Sequence, residues 1–104
     1  MIITTTNNIE GKQIATYLGI VTGEIVVKLQ VKPFLKRQDP DKKNRSSGYE
    51  SALFEAKQTA LKQMEERATK LGANAIVGIS FSVDDFSGGS YIMAFVSGTA
   101  VKAY

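Results

Sequence analysis

The stretch that decides the fold is YESALFEAKQTALKQMEERATKL, residues 49–71. Its apolar side chains recur every three or four residues, which places them on one stripe of a helix with about 3.6 residues per turn. Gly72 follows, and glycine readily takes the left-handed conformation in which helices end. We therefore predict one long amphipathic helix from about Tyr49 to Leu71, with an apolar stripe made of Leu53, Ala56, Ala60, Leu61, Met64, Ala68 and Leu71.

The segment before this helix carries a capping signature. Ser46 or Ser47 could accept a hydrogen bond from a free backbone N–H of the first turn, and Ser47 and Glu50 have the spacing of a capping box. We therefore predict that the helix begins just after these serines.

A long β stretch precedes the helix at residues 14–31, which are rich in Ile, Val, Leu, Thr and Tyr. One straight strand of that length would run to roughly 60 Å, which is too long for so small a domain. We therefore expect Gly19 and Gly23 to mark a bulge, a bend or a break. A short strand at residues 2–5 is also expected.

A hairpin follows the helix. Residues 75–83 alternate between apolar and small or polar side chains, residues 84–90 are typical of a turn, and residues 91–102 return as the last strand. The element order predicts a single α+β domain over residues 1–104, with two layers: one long helix packed on a largely antiparallel sheet.

One helix covers only one face of a sheet, yet two of the predicted strands are apolar on both faces. In the last strand Tyr91, Met93, Phe95 and Val101 share one face and Ile92, Ala94, Val96 and Ala100 the other, and residues 14–27 show the same two-sided pattern. A sheet with two apolar faces is normally buried on both. Either copies of the chain cover one another, or a bend at Gly19 or Gly23 lets the sheet curl around the helix. We favour the first alternative and predict a homo-oligomer.

The composition excludes several classes of protein. The chain has 104 residues, 43% of them hydrophobic, which fits one domain with a core. It contains no cysteine and no histidine, which excludes disulfides, thiolate or imidazole metal sites and Cys or His catalysis. No apolar run approaches the roughly 18 residues of a membrane helix, and the start MIITTTNN lacks a signal-peptide pattern. We expect a cytoplasmic protein without membrane association.

Residues 28–45 form a basic segment, with seven Lys or Arg residues against two Asp residues, a local charge of +5. Clustered basic side chains can contact anions or nucleic acid. The segment has only one aromatic residue, Phe34, and no recognition motif, and its prolines and small polar residues are typical of an exposed loop. We favour a solvated loop and do not expect a nucleic-acid partner.

Three carboxylates stand out as candidates for chemistry. Asp84 and Asp85 are adjacent in the predicted turn, and we interpret them as turn residues because the spacing of a calcium loop is missing. Glu24 lies inside an apolar β run, where a buried carboxylate needs a partner or a proton. We favour a structural carboxylate at a subunit contact, with a catalytic or metal-binding role as the alternative. We expect neither enzymatic activity nor a cofactor.

Four blocks of the sequence resemble the YbjQ-like family of small bacterial and archaeal proteins. They are GIVTGE at residues 19–24, RSSGYE at 45–50, LGANAIVGI at 71–79 and VSGTAVK at 96–102, and they follow the order of the family over nearly the whole chain. The resemblance implies a dodecin-like α+β subunit and a ring-shaped homopentamer. It implies no established activity, because the family is uncharacterised and is loosely labelled "putative heavy-metal-binding".

That label meets a chemical objection here, because soft metals prefer thiolate and imidazole ligands and this chain has neither. A metal site would need oxygen ligands gathered across subunits, and Glu24 is the candidate because a ring brings five copies together. Arg45, Ser46, Tyr49 and Glu50 match the loop-to-helix block of the family. Together with Glu24 they could line a ligand pocket at a subunit boundary, or else form a network at the start of the helix.

The first functional hypothesis is thus a non-enzymatic homopentameric ring that binds a small ligand or ion of unknown identity. The alternatives are a metal-ion-binding protein and an enzyme with a carboxylate, Tyr and Arg pocket between subunits.

Overall fold

The elements follow the predicted α+β order. The computed structural model describes residues 1–28, 42–86, 88 and 91–104, with the backbone alone for residues 42–49. Within these ranges the elements are β1 (Ile2–Ile3), β2 (Ile14–Lys28), α1 (Lys42–Lys70), β3 (Ala75–Phe86) and β4 (Tyr91–Ala103). The helix packs on one side of the sheet, so the predicted two-layer arrangement is confirmed.

The sheet is mixed, with strand order β1-β3-β4-β2. β4 pairs antiparallel with both β2 and β3, while the short β1 pairs parallel with β3 through Ile2 and Ala75. The prediction of a largely antiparallel sheet therefore holds. β2 is the last strand in this order and therefore forms one edge of the sheet.

The helix is longer at its N-terminus than predicted, since α1 begins at Lys42 and not near Tyr49. Ser46 and Ser47 lie inside the helix, so their prediction as caps is wrong, and the C-terminal end of the basic segment is helical rather than a loop. The physical reason is that Lys and Arg are good helix formers, so a helix can continue beyond the stripe that packs on a sheet. Residues 29–41 of the basic segment lie outside the described residues.

The C-terminal end of α1 is as predicted. Gly72 has a φ of 87°, in the left-handed region. The N–H of Ala73 donates to the carbonyl of Ala68 at 3.1 Å, and the N–H of Gly72 donates to the carbonyl of Thr69 at 3.0 Å. This pair of hydrogen bonds is the Schellman motif, which satisfies carbonyls that the helix leaves free.

β2 runs without a break, contrary to the length argument. Its pairing with β4 shifts register near Gly19, whose φ is 128°, so the predicted irregularity lies there. Gly23 keeps regular pairing with Val96, so the prediction of a bulge or break there is wrong. The strand fits because the molecule is elongated, 57 × 24 × 16 Å, with a radius of gyration of 17.5 Å. A compact domain of this length has a radius of about 13 Å.

β3 is also longer than predicted and does not alternate throughout. It extends to Phe86, so Asp84 and Asp85 are strand residues and their interpretation as turn residues is wrong. The Phe86 ring stacks on Tyr91 with 5.3 Å between centroids, and this cross-strand pair carries the ladder past the aspartates. The register shifts at Gly78, whose φ is 62°, so the residues on either side of this bulge exchange faces.

The core lies between α1 and the sheet. The helix contributes mainly small residues, and the buried cluster comprises Val21, Ala60, Met64, Ala68, Ile76, Ile79, Val96 and Ala100. A smaller cluster on the other face of the sheet holds Ala75, Val77 and Val101, against which Ile9 and Ile14 pack. The N-terminal segment therefore covers one end of the face that the helix leaves bare.

Candidate functional site

The most distinctive surface is the rest of that face, which no described residue covers. Directly paired residues of antiparallel strands share a face, and the pairs Glu24–Phe95, Val26–Met93 and Phe86–Tyr91 all lie opposite the helix. We call this surface the open face. Its large or charged side chains are Ile20, Glu24, Val26, Lys28, Asp84, Phe86, Tyr91, Met93 and Phe95.

The open face exposes large apolar side chains. Ile20 is 80% exposed, Val26 52% and Phe95 38%. On the helix side of the same strands, Ile92, Ala94 and Val96 are fully buried. The sequence predicts strands that are apolar on both faces. In the structure the helix covers one of these faces, and the described residues leave the other uncovered. An exposed cluster of this kind marks an interaction surface or an aggregation hazard.

Glu24 lies on the open face and forms hydrogen bonds with two side chains of α1. Arg67 Nη1 donates to Glu24 Oε1 at 2.7 Å and to the Thr22 carbonyl oxygen at 2.8 Å. The backbone N–H of Glu24 donates to Gln63 Oε1 at 3.1 Å. Gln63 and Arg67 therefore form hydrogen bonds with backbone groups of β2 at the edge of the sheet. Unpaired backbone groups of an edge strand can otherwise pair with a strand of another chain.

The ion pair sets the charge state of Glu24. Its side chain is half exposed, so burial does not force it to take up a proton. The hydrogen bond from the Arg67 guanidinium holds the pKa of the Glu24 carboxyl below its usual value. Glu24 is thus an ionised carboxylate whose partner is Arg67 of the same chain.

The described residues do not assemble a metal site around Glu24. Within those ranges no three His, Cys, Asp or Glu side chains come close enough to hold an ion. A cation at Glu24 would have to compete with Arg67 for the carboxylate.

The other predicted pocket residues lie far from Glu24. Glu50 is exposed and, with Ser51, Phe54 and Glu55, lines a shallow depression of about 340 Å³. It precedes Arg67 by 17 residues on the same helix, a distance of about 25 Å along the axis. One protomer therefore does not bring Glu24 and Glu50 together. The side chains of Arg45, Ser46 and Tyr49 lie outside the described residues.

Sequence reasoning missed Arg67, the partner of Glu24. A usable signal existed, because Gln63 and Arg67 are four residues apart and share one flank of the helix beside the buried stripe. Nothing in the sequence, however, indicated that this flank would face the strand that carries Glu24.

Comparison with known proteins places the chain in a family. The YbjQ family model, described as "Putative heavy-metal-binding", matches residues 1–104. The chain belongs to the YbjQ family. Two similar proteins, both named "UPF0145 protein", come from Geobacillus thermodenitrificans (43% identity over 103 residues, 98% of each chain) and Acetivibrio thermocellus (44% over 103 residues, 97% of each chain).

A solved structure shares the YbjQ fold. It is a crystal structure of a protein of unknown function from the DUF74 family of Pediococcus pentosaceus, with a TM-score of 0.62 over 98% of this chain and 96% of that one. The identity is 19%, so the likeness concerns the fold. Within the described part of this YbjQ chain, a helix that combines the length and apolarity needed to cross a membrane is absent.

Proposed function

We propose that the chain is the dodecin-like subunit of a non-enzymatic, cytoplasmic homo-oligomer, a pentameric ring that binds a small ligand or ion between its subunits. The observation that carries this proposal is the open face. Its apolar side chains lie beside a fully formed core, and no described residue of the same chain covers them.

The energetic argument favours cover by other copies. Burying one Val, Ile or Phe side chain is worth roughly 1.5–3 kcal/mol, and the open face leaves several such side chains in water. The elongated shape agrees, because a radius of gyration of 17.5 Å indicates much surface for few residues. The number of five subunits is supported by the resemblance to the family. The open face by itself supports only an assembly in which another copy covers it.

The place of the ligand follows from the separation of the predicted pocket residues. Arg67, the partner of Glu24, is about 25 Å from Glu50 along the axis of α1 in one chain. A pocket that contains both would take Glu24 from one subunit and the first turns of α1, with Arg45, Ser46, Tyr49 and Glu50, from a neighbour. Such a site would exist only in the assembly.

The test is the mass of the particle in solution. We expect light scattering and native mass spectrometry to give about five times the 11.3 kDa subunit mass, independent of dilution over the micromolar range. Phe95→Ser should lower the assembled fraction. Tyr104→Ser is the matched control, since Tyr104 is an exposed aromatic residue at the chain end, away from the open face. A wild-type particle of one subunit mass at all concentrations contradicts the proposal.

A further inference from the structure

A second apolar surface lies on the helix side of the sheet, next to β3. α1 packs over β2 and β4 and barely reaches β3. Phe81 and Val83 pair with Val96 and Ala94, so they face the helix layer. They nevertheless remain 40% and 37% exposed, because nothing in the described residues lies above them.

The flank of the helix borders this surface. Lys57 Nζ lies 5.9 Å from the centroid of the Phe81 ring. Phe54, one turn earlier on the same flank, is 63% exposed. We call this surface the side groove. Its members are Phe54, Lys57, Phe81, Val83 and Asp85.

The open face and the side groove lie back to back on the same hairpin, which restricts the contacts that can cover both. A twofold contact between two open faces would leave both side grooves in water, and a contact between two grooves would leave both open faces in water. A contact that joins the open face of one copy to the side groove of the next covers both surfaces with one interface. Such head-to-tail contacts generate rings when the rotation closes.

The charges on the two surfaces are complementary at one point. Asp84 pairs with Met93 in the sheet and so lies on the open face, whereas Lys57 lies in the side groove. Neither makes an ion pair within the described ranges, where Glu24–Arg67 is the ion pair found. Opposite charges can therefore meet in the head-to-tail register, and Lys28 on the open face and Asp85 in the side groove offer a second such pair.

We propose that the side groove of each subunit receives the open face of the next subunit, with Asp84 of one copy paired to Lys57 of the other. This inference rests on the proposed function, and it specifies which surface of a neighbouring copy covers the open face.

Charge reversal tests the pairing. Lys57→Glu and Asp84→Lys each place two like charges at every interface, so each should raise the concentration at which half of the subunits are assembled by about tenfold or more. The double variant restores opposite charges in every interface and should recover assembly. Native mass over a dilution series measures both effects, and circular dichroism checks that each variant is folded.

Glu66→Lys is the matched control. It makes the same change from an acidic to a basic side chain, but Glu66 is an exposed residue of α1 that belongs to neither the open face nor the side groove. We expect it to assemble as the wild type does, because it places no charge in the proposed contact.

The possible failures are distinguishable. Single reversals that assemble like the wild type, or a double variant no better than either single one, would overturn the pairing of groove and open face. If Phe95→Ser still dissociates the particle in that case, the assembly stands and another surface covers the open face. A wild-type monomer at every concentration would overturn both proposals.

Discussion

The backbone of Gly23 lies directly against Ala60, so that a Cβ atom at residue 23 would come 1.9 Å from the Ala60 carbonyl oxygen. This contact sets the distance between the helix and the edge strand. It also explains why Gly23 interrupts neither the strand nor its pairing: the glycine is needed for the approach of the helix and not for a bend.

We predict that Gly23→Ala is among the most destabilising single substitutions in the chain. The atoms in the way belong to the helix backbone and cannot move aside, so the loss should lie at the upper end of the about 1–3 kcal/mol typical of overpacked cores, or beyond it. Urea unfolding at fixed protein concentration measures it, because unfolding of an assembly depends on concentration.

Gly98→Ala is the matched comparison. A Cβ there would meet the Ile76 and Ile79 side chains at 2.7 and 3.0 Å. Side chains can change rotamer, so this substitution should destabilise less than Gly23→Ala. Equal losses of stability would show that the helix can shift and that the Gly23–Ala60 contact does not set its distance.

Met64→Ala should destabilise through a cavity. Met64 is the largest fully buried side chain that the helix contributes, in a core otherwise lined by alanine on that side. Removing it should lower the free energy of unfolding by about 2–5 kcal/mol. Lys62→Ala, at an exposed position on the same helix, should change it by less than about 0.5 kcal/mol. A loss below 1 kcal/mol for Met64→Ala would mean that the core collapses into the space.

The part of the helix that packs on the sheet could be predicted because its buried residues recur at one spacing. Ala56, Ala60, Met64 and Ala68 are four residues apart, and this period is visible in the sequence. Residues 42–48 are polar or glycine, so periodicity cannot show where the helix begins. Local patterning therefore predicts the packed part of this helix better than its N-terminal end.

The strand irregularities depend on tertiary contacts and could not be predicted. At Gly78 the apolar alternation continues unbroken in the sequence, yet the register shifts. There the Gly78 N–H donates to the Thr6 carbonyl at 2.8 Å, a contact with the distant N-terminal segment. The partner of Glu24 was missed for the same reason, because Arg67 is 43 residues away in the chain.

The Glu24–Arg67 ion pair should make stability depend on pH in the acid range. The pKa of Glu24 is lower in the folded state than its ordinary value of 4.5. The ion pair therefore contributes fully above that value, and its contribution is lost as the pH falls through the folded pKa. We predict that Glu24→Gln lowers stability at neutral pH and has a smaller effect at low pH, as measured by thermal unfolding between pH 7 and pH 3.

Glu66→Gln is the control for this pH series. Glu66 is an exposed carboxylate on the same helix with no ion pair to any described residue. It should leave the pH profile close to that of the wild type. A Glu24→Gln profile parallel to the wild type throughout would show that the ion pair contributes nothing to the pH dependence of stability.

Removal of metal should leave the protein unchanged. The carboxylate of Glu24 already accepts a hydrogen bond from Arg67, so a divalent cation must compete with a charge that is part of the fold. Soft metals would in addition lack thiolate and imidazole ligands, because the sequence contains no Cys and no His. We predict that a chelator changes neither the melting temperature nor the native mass. Calorimetric titration of the stripped protein with Zn²⁺, Cu²⁺, Ca²⁺ and Mg²⁺ should show no saturable binding near one ion per subunit.

If five copies of Glu24 bind one ion together, the melting temperatures of the variants would follow a different pattern. The melting temperature would then rise with added metal, and the rise would disappear in Glu24→Gln but persist in Glu66→Gln. Arg67→Met would strengthen the binding, because it frees the carboxylate from its competitor. That combination would establish the metal-binding alternative, since a nonspecific surface effect would respond equally to the loss of either carboxylate.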